Sequence, residues 1–167
     1  MTTKTGIHLV VDTSIQQMSV YDGDVLLCHF PVSTAKNGTG QLINTGCTPL
    51  GRHKIAQKIG GEYPKNAVFV GRQFTGEIYD DTLGKANPDR DWILSRILWL
   101  EGCEMGVNQG ENANGVCDSF ARYIYIHGTP DTEPMGVPRS HGCVRMRNDD
   151  VIALYDMVGV DTKVLIA

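Results

Sequence analysis

The chain has 167 residues, a length that suits one domain with a single sizeable core. Its net charge of −4, with 41% hydrophobic and 20% charged residues, is ordinary for a soluble globular protein and argues against a dedicated nucleic-acid-binding protein. The N-terminal stretch MTTKTGIHLVVDTS lacks the long apolar region of a signal peptide, and no run of the sequence approaches a membrane-spanning length. We therefore expect one cytoplasmic domain, residues 1–167, with no nucleic-acid or membrane partner, or a periplasmic one if an export signal has been removed.

The first hundred residues are dominated by strand patterns. IHLVVD predicts a first strand, and MSVY-DG-DVLLCHFPV predicts a hairpin that turns at Asp22-Gly23. The polar, glycine-rich segment 33–46 predicts a loop. TPLGRHKIAQKIGG predicts a turn and a short strand, NAVFVGRQF predicts one β-rich run, and YDDTLGKANPDRD predicts a loop. WILSRILWL is ambiguous, but its β-branched content favours a strand.

The C-terminal part combines loops, one strand pattern and one helix pattern. GVNQGENANGVCDS predicts a loop, and in ARYIYIH the two tyrosines and His127 share one face while Arg122 and the isoleucines share the other. Residues 128–142 hold three prolines and three glycines, which leaves no room for a regular element. A helix is predicted from Asn148 as N-cap to Gly159 as stop, and TKVLIA predicts a closing strand. The whole predicts a mainly-β domain with one helix in its C-terminal half.

Five cysteines are spaced irregularly, and none belongs to a C-x-x-C pair. An odd, irregular set fits neither a disulfide framework nor a zinc ribbon, so we expect free thiols. Cys28, inside the apolar run VLLCHF, is interpreted as a small buried residue. Cys47, Cys103 and Cys117 receive no functional assignment. Cys143 differs, because polar and glycine residues surround it.

Cys143 lies in SHGCVRM, between His141-Gly142 and an arginine, and His127 lies sixteen residues upstream. Either histidine is a candidate base or ion-pair partner for a nucleophilic thiolate. Gly142 allows a tight turn that directs neighbouring amides to one point, as an oxyanion hole requires. A structural cysteine and a zinc ion held by His127, His141 and Cys143 are the alternatives, and the residues alone leave them open.

IHGTP followed by GVPRSHGCVRM resembles the signature of the YkuD-type L,D-transpeptidase family, in which a histidine and a loop precede S/T-H-G-C. The loop between His127 and Ser140 has twelve residues, at the short end for the family. TPLGRHKI is similar to the family's TPxGxF strand entry, with His53 in place of the usual aromatic residue. The resemblance runs from about Ile7 to the C-terminus. It implies a β-sandwich-like mixed sheet with the cysteine in a groove.

The resemblance also implies roles for single residues. Cys143 would be the nucleophile, and His127 would be the general base, oriented by the backbone carbonyl of Gly128. The amides of His141, Gly142 and Cys143 would hold the oxyanion, and His141 would help shape the site.

Three more residues are placed in the site by the same motif. Arg145 would bind a substrate carboxylate or pin the loop, and Ser140 and Tyr125 are assigned to substrate binding with it. No metal or other cofactor is implied, since the motif requires a free thiolate. Arg139 and Arg147 are interpreted as solvated surface residues.

Members of this family cleave the amide between the L-centre of a diamino acid and a terminal D-alanine in peptidoglycan tetrapeptides, through a cysteine thioester that carbapenem-type inhibitors also form. Hydrolysis of the thioester gives L,D-carboxypeptidase activity, and aminolysis gives 3-3 cross-links or exchange of D-amino acids. Since no export signal is visible, the sequence favours an L,D-carboxypeptidase that trims recycled muropeptides, with an L,D-transpeptidase as the alternative. An idle wall-peptide-binding module and a cysteine hydrolase of other amides or esters stay open.

Overall fold

The computed structural model describes residues 6–167, which form a strand-rich domain. The elements of this range, in chain order, are β1 (Ile7–Asp12), β2 (Gln17–Asp22), β3 (Val25–Pro31), β4 (Gly51–Ile59), β5 (Ala67–Val70), β6 (Gln73–Ile78), α1 (Asp81–Ala86), β7 (Ile93–Gly102), β8 (Glu111–Asn112), β9 (Gly115–Val116), β10 (Tyr125–Thr129), β11 (Val144–Arg147), α2 (Asn148–Met157) and β12 (Lys163–Ile166). No helix among the described residues is long and apolar enough to cross a membrane.

Ten of the strands form one mixed sheet in the order β11-β10-β7-β4-β12-β1-β2-β3, with β5 and β6 branching from β7. The pairs β1–β12 and β10–β11 are parallel, and the other neighbouring pairs are antiparallel. β8 and β9 form a separate small hairpin. The mainly-β fold with a mixed sheet, predicted from the sequence, is confirmed.

The central strand β7 is buried on both faces, which explains its nearly continuous apolar sequence. Leu98 faces the main core, where α2 contributes Leu154. Ile97 and Trp99 point to the opposite face, where a second cluster includes Tyr125 and borders Cys143. The strand therefore carries the main core on one side and the floor of the candidate site on the other.

The predicted helix is present, but its start differs from the expectation. The N-cap is Arg147, and Asn148 is the first helical residue. The Asn148 side chain is fully buried, where it accepts a hydrogen bond from Ser95 Oγ at 2.7 Å and donates to the carbonyl of Thr129 at 2.9 Å. Because these tertiary bonds use its amide, Asn148 does not cap its own helix. The helix ends at Met157, before the predicted stop.

Regular structure also occurs where loops were predicted. In 79–91 the short helix α1 begins after Asp80, whose carboxylate accepts from the Leu83 amide at 2.8 Å. The loop 106–119 contains the β8–β9 hairpin. The single run expected over 66–74 is two strands joined by a turn at Gly71-Arg72.

At the edge of the sheet that lies opposite β11, the predicted β2–β3 hairpin is confirmed, with Gly23 in the left-handed region at φ +58°. Cys28 on β3 packs against the main core but is only half-buried, so the expectation of a buried thiol was wrong. β3 is the last strand of the sheet and carries partly solvated side chains.

Candidate active site

The candidate site lies where the parallel strands β10 and β11 meet, on the face of β7 opposite α2. Pairing of His127 with Arg145 sets the register of the two strands. β11 starts directly after Cys143, so this register brings the cysteine beside Tyr125 and close to the histidine strand. A groove of about 550 Å³ opens there and is lined by His127 and Cys143 together.

His127 is buried, with 1% of its surface exposed. Its Nδ1 lies 2.7 Å from the carbonyl oxygen of Gly128, and a carbonyl only accepts, so Nδ1 carries the proton. Burial lowers the pKa of His127, which keeps the imidazole neutral near pH 7. Nε2 is therefore left as an unprotonated nitrogen, which is the form a general base needs.

Cys143 is half-buried at the groove, and its sulfur contacts the backbone that leads into β10. Sγ lies 3.3 Å from the Tyr125 amide, which donates to it, and 3.4 Å from the Tyr123 carbonyl, to which the thiol donates. Loss of hydration raises the pKa of the Cys143 thiol to about 12, against the smaller opposing effects of the Tyr125 amide and of Arg145 and Arg122. At rest the site thus holds a neutral thiol and a neutral imidazole.

The backbone before Cys143 turns tightly at Gly142, where φ is +134° and a Cβ would lie 3.3 Å from the carbonyl oxygen of Cys47. Thr48 Oγ1 donates to the Gly142 carbonyl at 2.8 Å. Ser140 Oγ donates to the Cys143 carbonyl at 2.6 Å and accepts from the Gly142 amide at 3.2 Å. The Ser140 hydroxyl and the Gly142 amide are thus engaged inside the loop, while the resemblance assigns them to substrate and oxyanion.

Arg145 is almost fully buried and is paired with two carboxylates. Its Nη2 lies 2.9 Å from Asp91 Oδ1, and its Nη1 lies 3.9 Å from Glu133 Oε2. Asp91 also contacts the exposed ring of His141, with 3.3 Å between Oδ2 and Nδ1. Of the two roles that the resemblance left open for Arg145, these contacts favour pinning the loops together.

The strand alternation predicted for ARYIYIH holds only from Ile124 onward. Ile124 and Ile126 face the main core, and Tyr125 faces the groove side. Tyr123 instead lies in a turn at φ +58° and is 55% exposed, so its predicted place in the strand was wrong. The left-handed turn ends the extended backbone and directs the Tyr123 carbonyl at the thiol.

A zinc site was the chemical alternative to a nucleophile. Among residues 6–167, no three His, Cys, Asp or Glu side chains converge in a group that could hold a metal ion. His141 is turned toward Asp91, while His127 is enclosed beside β7. The three residues considered as zinc ligands are therefore not arranged around one ion.

Three charged residues line the groove that the sequence motif did not place there: Arg72, Asp91 and Arg122. Asp91 ends the segment 79–91, which was interpreted as a loop. Arg72 lies in the segment 66–74, which was interpreted as one β-rich run. The glycine before Arg72 was a usable turn signal, because glycine inside a strand pattern often marks a turn or bulge. Arg122 was assigned to a strand face. Its guanidinium instead binds the carbonyls of Gly40, Gln41 and Cys47.

Comparison with known proteins gives a consistent result. The YkuD family model, described as the L,D-transpeptidase catalytic domain, matches residues 6–166. The probable L,D-transpeptidase ErfK/SrfK of Salmonella typhimurium is 40% identical over 160 residues, which cover 95% of this chain and 46% of the relative. The chain thus spans about half the length of that curated relative.

Solved structures share the fold. L,D-transpeptidase 3 from Mycobacterium tuberculosis has a TM-score of 0.57 at 16% identity, with 97% of this chain and 61% of that chain covered. The structure of the L,D-transpeptidase LdtMt1 in complex with imipenem has a TM-score of 0.56 at 18% identity, with 97% and 59% covered. At these identities the likeness concerns the fold alone.

Proposed function

The chain belongs to the YkuD family of L,D-transpeptidase catalytic domains, and from this membership we propose that it is a cysteine enzyme acting on peptidoglycan stem peptides. Its main reaction is hydrolysis: it removes the terminal D-alanine of a tetrapeptide as an L,D-carboxypeptidase. The substrate is a free tetrapeptide or a recycled muropeptide.

One observation carries the proposal. The Gly128 carbonyl fixes the proton of His127 on Nδ1, so that Nε2 is the basic nitrogen in the groove that Cys143 also lines. A binding module has no need of such a pair. The neutral state of both groups means that the proton leaves the thiol as the sulfur attacks, and not in a resting ion pair.

The reaction follows from these positions. Nε2 of His127 accepts the thiol proton while Sγ of Cys143 bonds to the carbonyl carbon of the L-centre. The C–N bond to D-alanine then breaks, and the proton on Nε2 passes to the leaving amine, which leaves a thioester. A water molecule, deprotonated by the same nitrogen, hydrolyses the thioester to tripeptide and free thiol. The amides of His141 and Cys143 are the proposed oxyanion donors, since that of Gly142 is engaged by Ser140.

The walls of the groove support hydrolysis over cross-linking. On the far side of the Asp91–Arg145 ion pair lies a second cavity of about 290 Å³, and Asp91, His141 and Arg145 line both spaces. We propose that water reaches the thioester through the groove itself, whereas a second stem peptide entering from the far cavity has to displace the Asp91–Arg145 pair. The same cavity favours the alternative, an L,D-transpeptidase, if the pair opens during turnover.

The test is mass spectrometry of purified tetrapeptide incubated with the protein. We expect tripeptide and free D-alanine, with cross-linked dimer as a minor product. Cys143→Ala and His127→Ala should abolish both products, while the exposed Cys103→Ala serves as the matched control and should retain activity. Turnover by Cys143→Ala would refute the thioester, and a dominant dimer would establish the transpeptidase alternative.

Reactivity with carbapenems offers a second test of the same nucleophile. A structural neighbour was solved in complex with imipenem. We propose that a carbapenem acylates Cys143 here, which peptide mass spectrometry would detect as an adduct on the peptide containing that residue. An adduct on Cys103 or Cys47 in its place would contradict the assignment.

The proposed location is the cytoplasm. Cell fractionation with an antibody against the native protein tests it. Recovery from the periplasmic fraction would contradict the recycling role and would favour the cross-linking alternative.

A further inference from the structure

The turn between β5 and β6 places an arginine in a backbone conformation that arginine seldom adopts. Gly71 and Arg72 have φ of +56° and +66°, so both are left-handed. Two-residue hairpin turns of this kind prefer Asn, Asp or Gly, and a long side chain there is strained. Strain of this sort is often retained at functional sites, which directs attention to what the Arg72 side chain does.

Its guanidinium lies in the candidate active site. Nη1 donates to the hydroxyl of Tyr125 at 3.0 Å. The central guanidinium carbon lies 4.5 Å from the ring centre of Trp99 and 5.1 Å from that of Tyr123. Stacking on aromatic rings holds a guanidinium in place while its remaining N–H groups stay available. Arg72 and Cys143 line the same groove.

The charge of Arg72 is not neutralised by any carboxylate of the described residues. Within the described range 6–167, no carboxylate oxygen lies within 4.0 Å of its guanidinium nitrogens. Arg145 by contrast is paired with Asp91 and Glu133. Arg122 has its donors directed at backbone carbonyls. Of the three guanidinium groups that line the groove, Arg72 is therefore the one with neither a carboxylate nor a backbone carbonyl as a partner among residues 6–167, since its hydrogen bond goes to the Tyr125 hydroxyl.

We propose that Arg72 binds a carboxylate of the peptide substrate and so determines specificity for anionic peptides. The proposal rests on the proposed function for the identity of the substrate. It transfers the carboxylate-binding role, which the sequence motif suggested for Arg145, to a residue on the β5–β6 hairpin. Two carboxylates fit this chemistry: the terminal one of the leaving residue and the side-chain one of a diaminopimelate at the third position.

Steady-state kinetics with Arg72→Gln shows which of the two carboxylates Arg72 binds. Loss of a charge-assisted bond should lower kcat/KM about tenfold or more on the peptide that carries the bound carboxylate. A peptide with a C-terminal amide lacks the terminal carboxylate of the leaving residue. A peptide with lysine in place of diaminopimelate lacks the side-chain carboxylate at the third position. On the peptide without the relevant group, wild type and variant should differ by less than about twofold. Arg72→Lys should recover part of the loss, since it keeps the charge but not the planar fork.

A second measurement does not depend on turnover. Iodoacetate and iodoacetamide differ by one carboxylate, and the ratio of their alkylation rates at Cys143, assigned by peptide mass spectrometry, reports attraction of anions to the groove. Arg72→Gln should lower this ratio. The control Arg52→Gln removes the same charge from an exposed site on β4 and should leave the ratio unchanged. If tetrapeptide is not a substrate but the ratio falls, the proposed function fails and the anion site stands.

Either of two results would overturn the role of Arg72 in binding a carboxylate. An unchanged alkylation ratio in Arg72→Gln, or an equal loss of kcat/KM on every peptide, would show that Arg72 only supports the hairpin and Tyr125.

Discussion

A histidine whose Nδ1 proton is held by a carbonyl can act as a base only through Nε2, and His127 is held in this way by Gly128. Burial of the ring makes the protonated form costly, which is why its pKa falls below the usual 6.5. Burial of Cys143 favours its neutral form in the same manner. These two effects favour the proposed base catalysis over a resting thiolate–imidazolium pair, a choice that the sequence left open.

The pH dependence of kcat/KM tests this distinction. The base must be neutral, so activity is lost as the pH falls through the pKa of His127. Since burial lowers this pKa, we expect the acid midpoint of kcat/KM to lie below pH 6.5. An acid midpoint above that value would contradict the lowered pKa of His127, and loss of activity on the alkaline side, as an imidazolium gives up its proton, would indicate the resting ion pair instead.

Gly142 directly precedes Cys143, the proposed nucleophile, and its backbone turn positions that residue. Gly142→Ala adds a Cβ 3.3 Å from the Cys47 carbonyl at φ +134°, so the loop has to shift. We expect a loss of about 1–3 kcal/mol in the free energy of unfolding and at least tenfold in kcat/KM. Urea unfolding and steady-state kinetics measure the two effects.

The control for this prediction lies in the same loop. Gly136 also has a positive φ, +82°, but no atom lies within 4 Å of a Cβ placed there. Gly136→Ala should therefore cost some stability and leave kcat/KM near the wild-type value. Equal kinetic losses in the two variants would mean that general loop strain, and not the Cys47 contact, controls the nucleophile.

On the scale of single elements, β4 carries a buried histidine where the resembling family usually has an aromatic residue. His53 Nε2 lies 2.8 Å from Ser119 Oγ and Nδ1 lies 3.0 Å from the Gly51 carbonyl. Burial lowers the pKa of His53 to about 4. Between about 4 and the ordinary 6.5, the unfolded chain therefore binds more protons at this position than the folded one.

Stability should consequently fall as the pH drops through this window. His53→Phe removes the titration, so the difference in unfolding free energy between neutral pH and the lower end of the window should shrink by about 3 kcal/mol. At neutral pH the variant should be weaker by about 1–3 kcal/mol, because Ser119 loses its partner. Urea unfolding at several pH values provides both numbers. An unchanged pH dependence would show that His53 is not the group responsible.

The accuracy of the element predictions follows the range of the interactions that make each element. β1, the β2–β3 hairpin and β12 were predictable because alternation and turn residues are local signals. α1 has only six residues and an internal glycine, which is too short for a helical periodicity to show in the sequence. Its N-cap, Asp80, was interpreted as part of a loop. The N-cap of α2 was misplaced because Asn148 bonds to distant residues, which a local pattern does not contain.

The same reasoning applies to the site. Cys143 and His127 are adjacent to distinctive neighbours, so a sequence motif was enough to single them out. Asp91 and Arg72 reach the groove through the β5–β6 branch and the segment that follows it, and their positions depend on how that branch packs on β7. The parallel pairing of β10 with β11 likewise joins residues across a loop, and alternation alone does not specify it.

For the molecule as a whole, the ion pairs of Arg145 with Asp91 and Glu133 connect three separate segments. Asp91 precedes β7, Arg145 lies on β11, and Glu133 belongs to the loop between β10 and β11. Both residues of the Asp91–Arg145 pair line the Cys143 groove and the neighbouring cavity as well. Asp91 is half-exposed while Arg145 is almost fully buried, so opening the pair leaves the arginine with Glu133 as its remaining carboxylate partner.

Opening the Asp91–Arg145 pair should change the ratio of hydrolysis to aminolysis of the thioester, because access and positioning decide which of the two nucleophiles attacks. We expect Asp91→Asn, with a D-amino acid added as acceptor, to raise the ratio of exchange product to tripeptide several-fold relative to the wild type. Asp89→Asn is the matched control: Asp89 lines only the far cavity of the two, so its loss should leave the ratio unchanged. Mass spectrometry of both products at a fixed acceptor concentration gives the ratio directly. If Asp91→Asn and Asp89→Asn have the same ratio as the wild type, the pair does not restrict the acceptor, and the preference for water has to arise inside the groove itself.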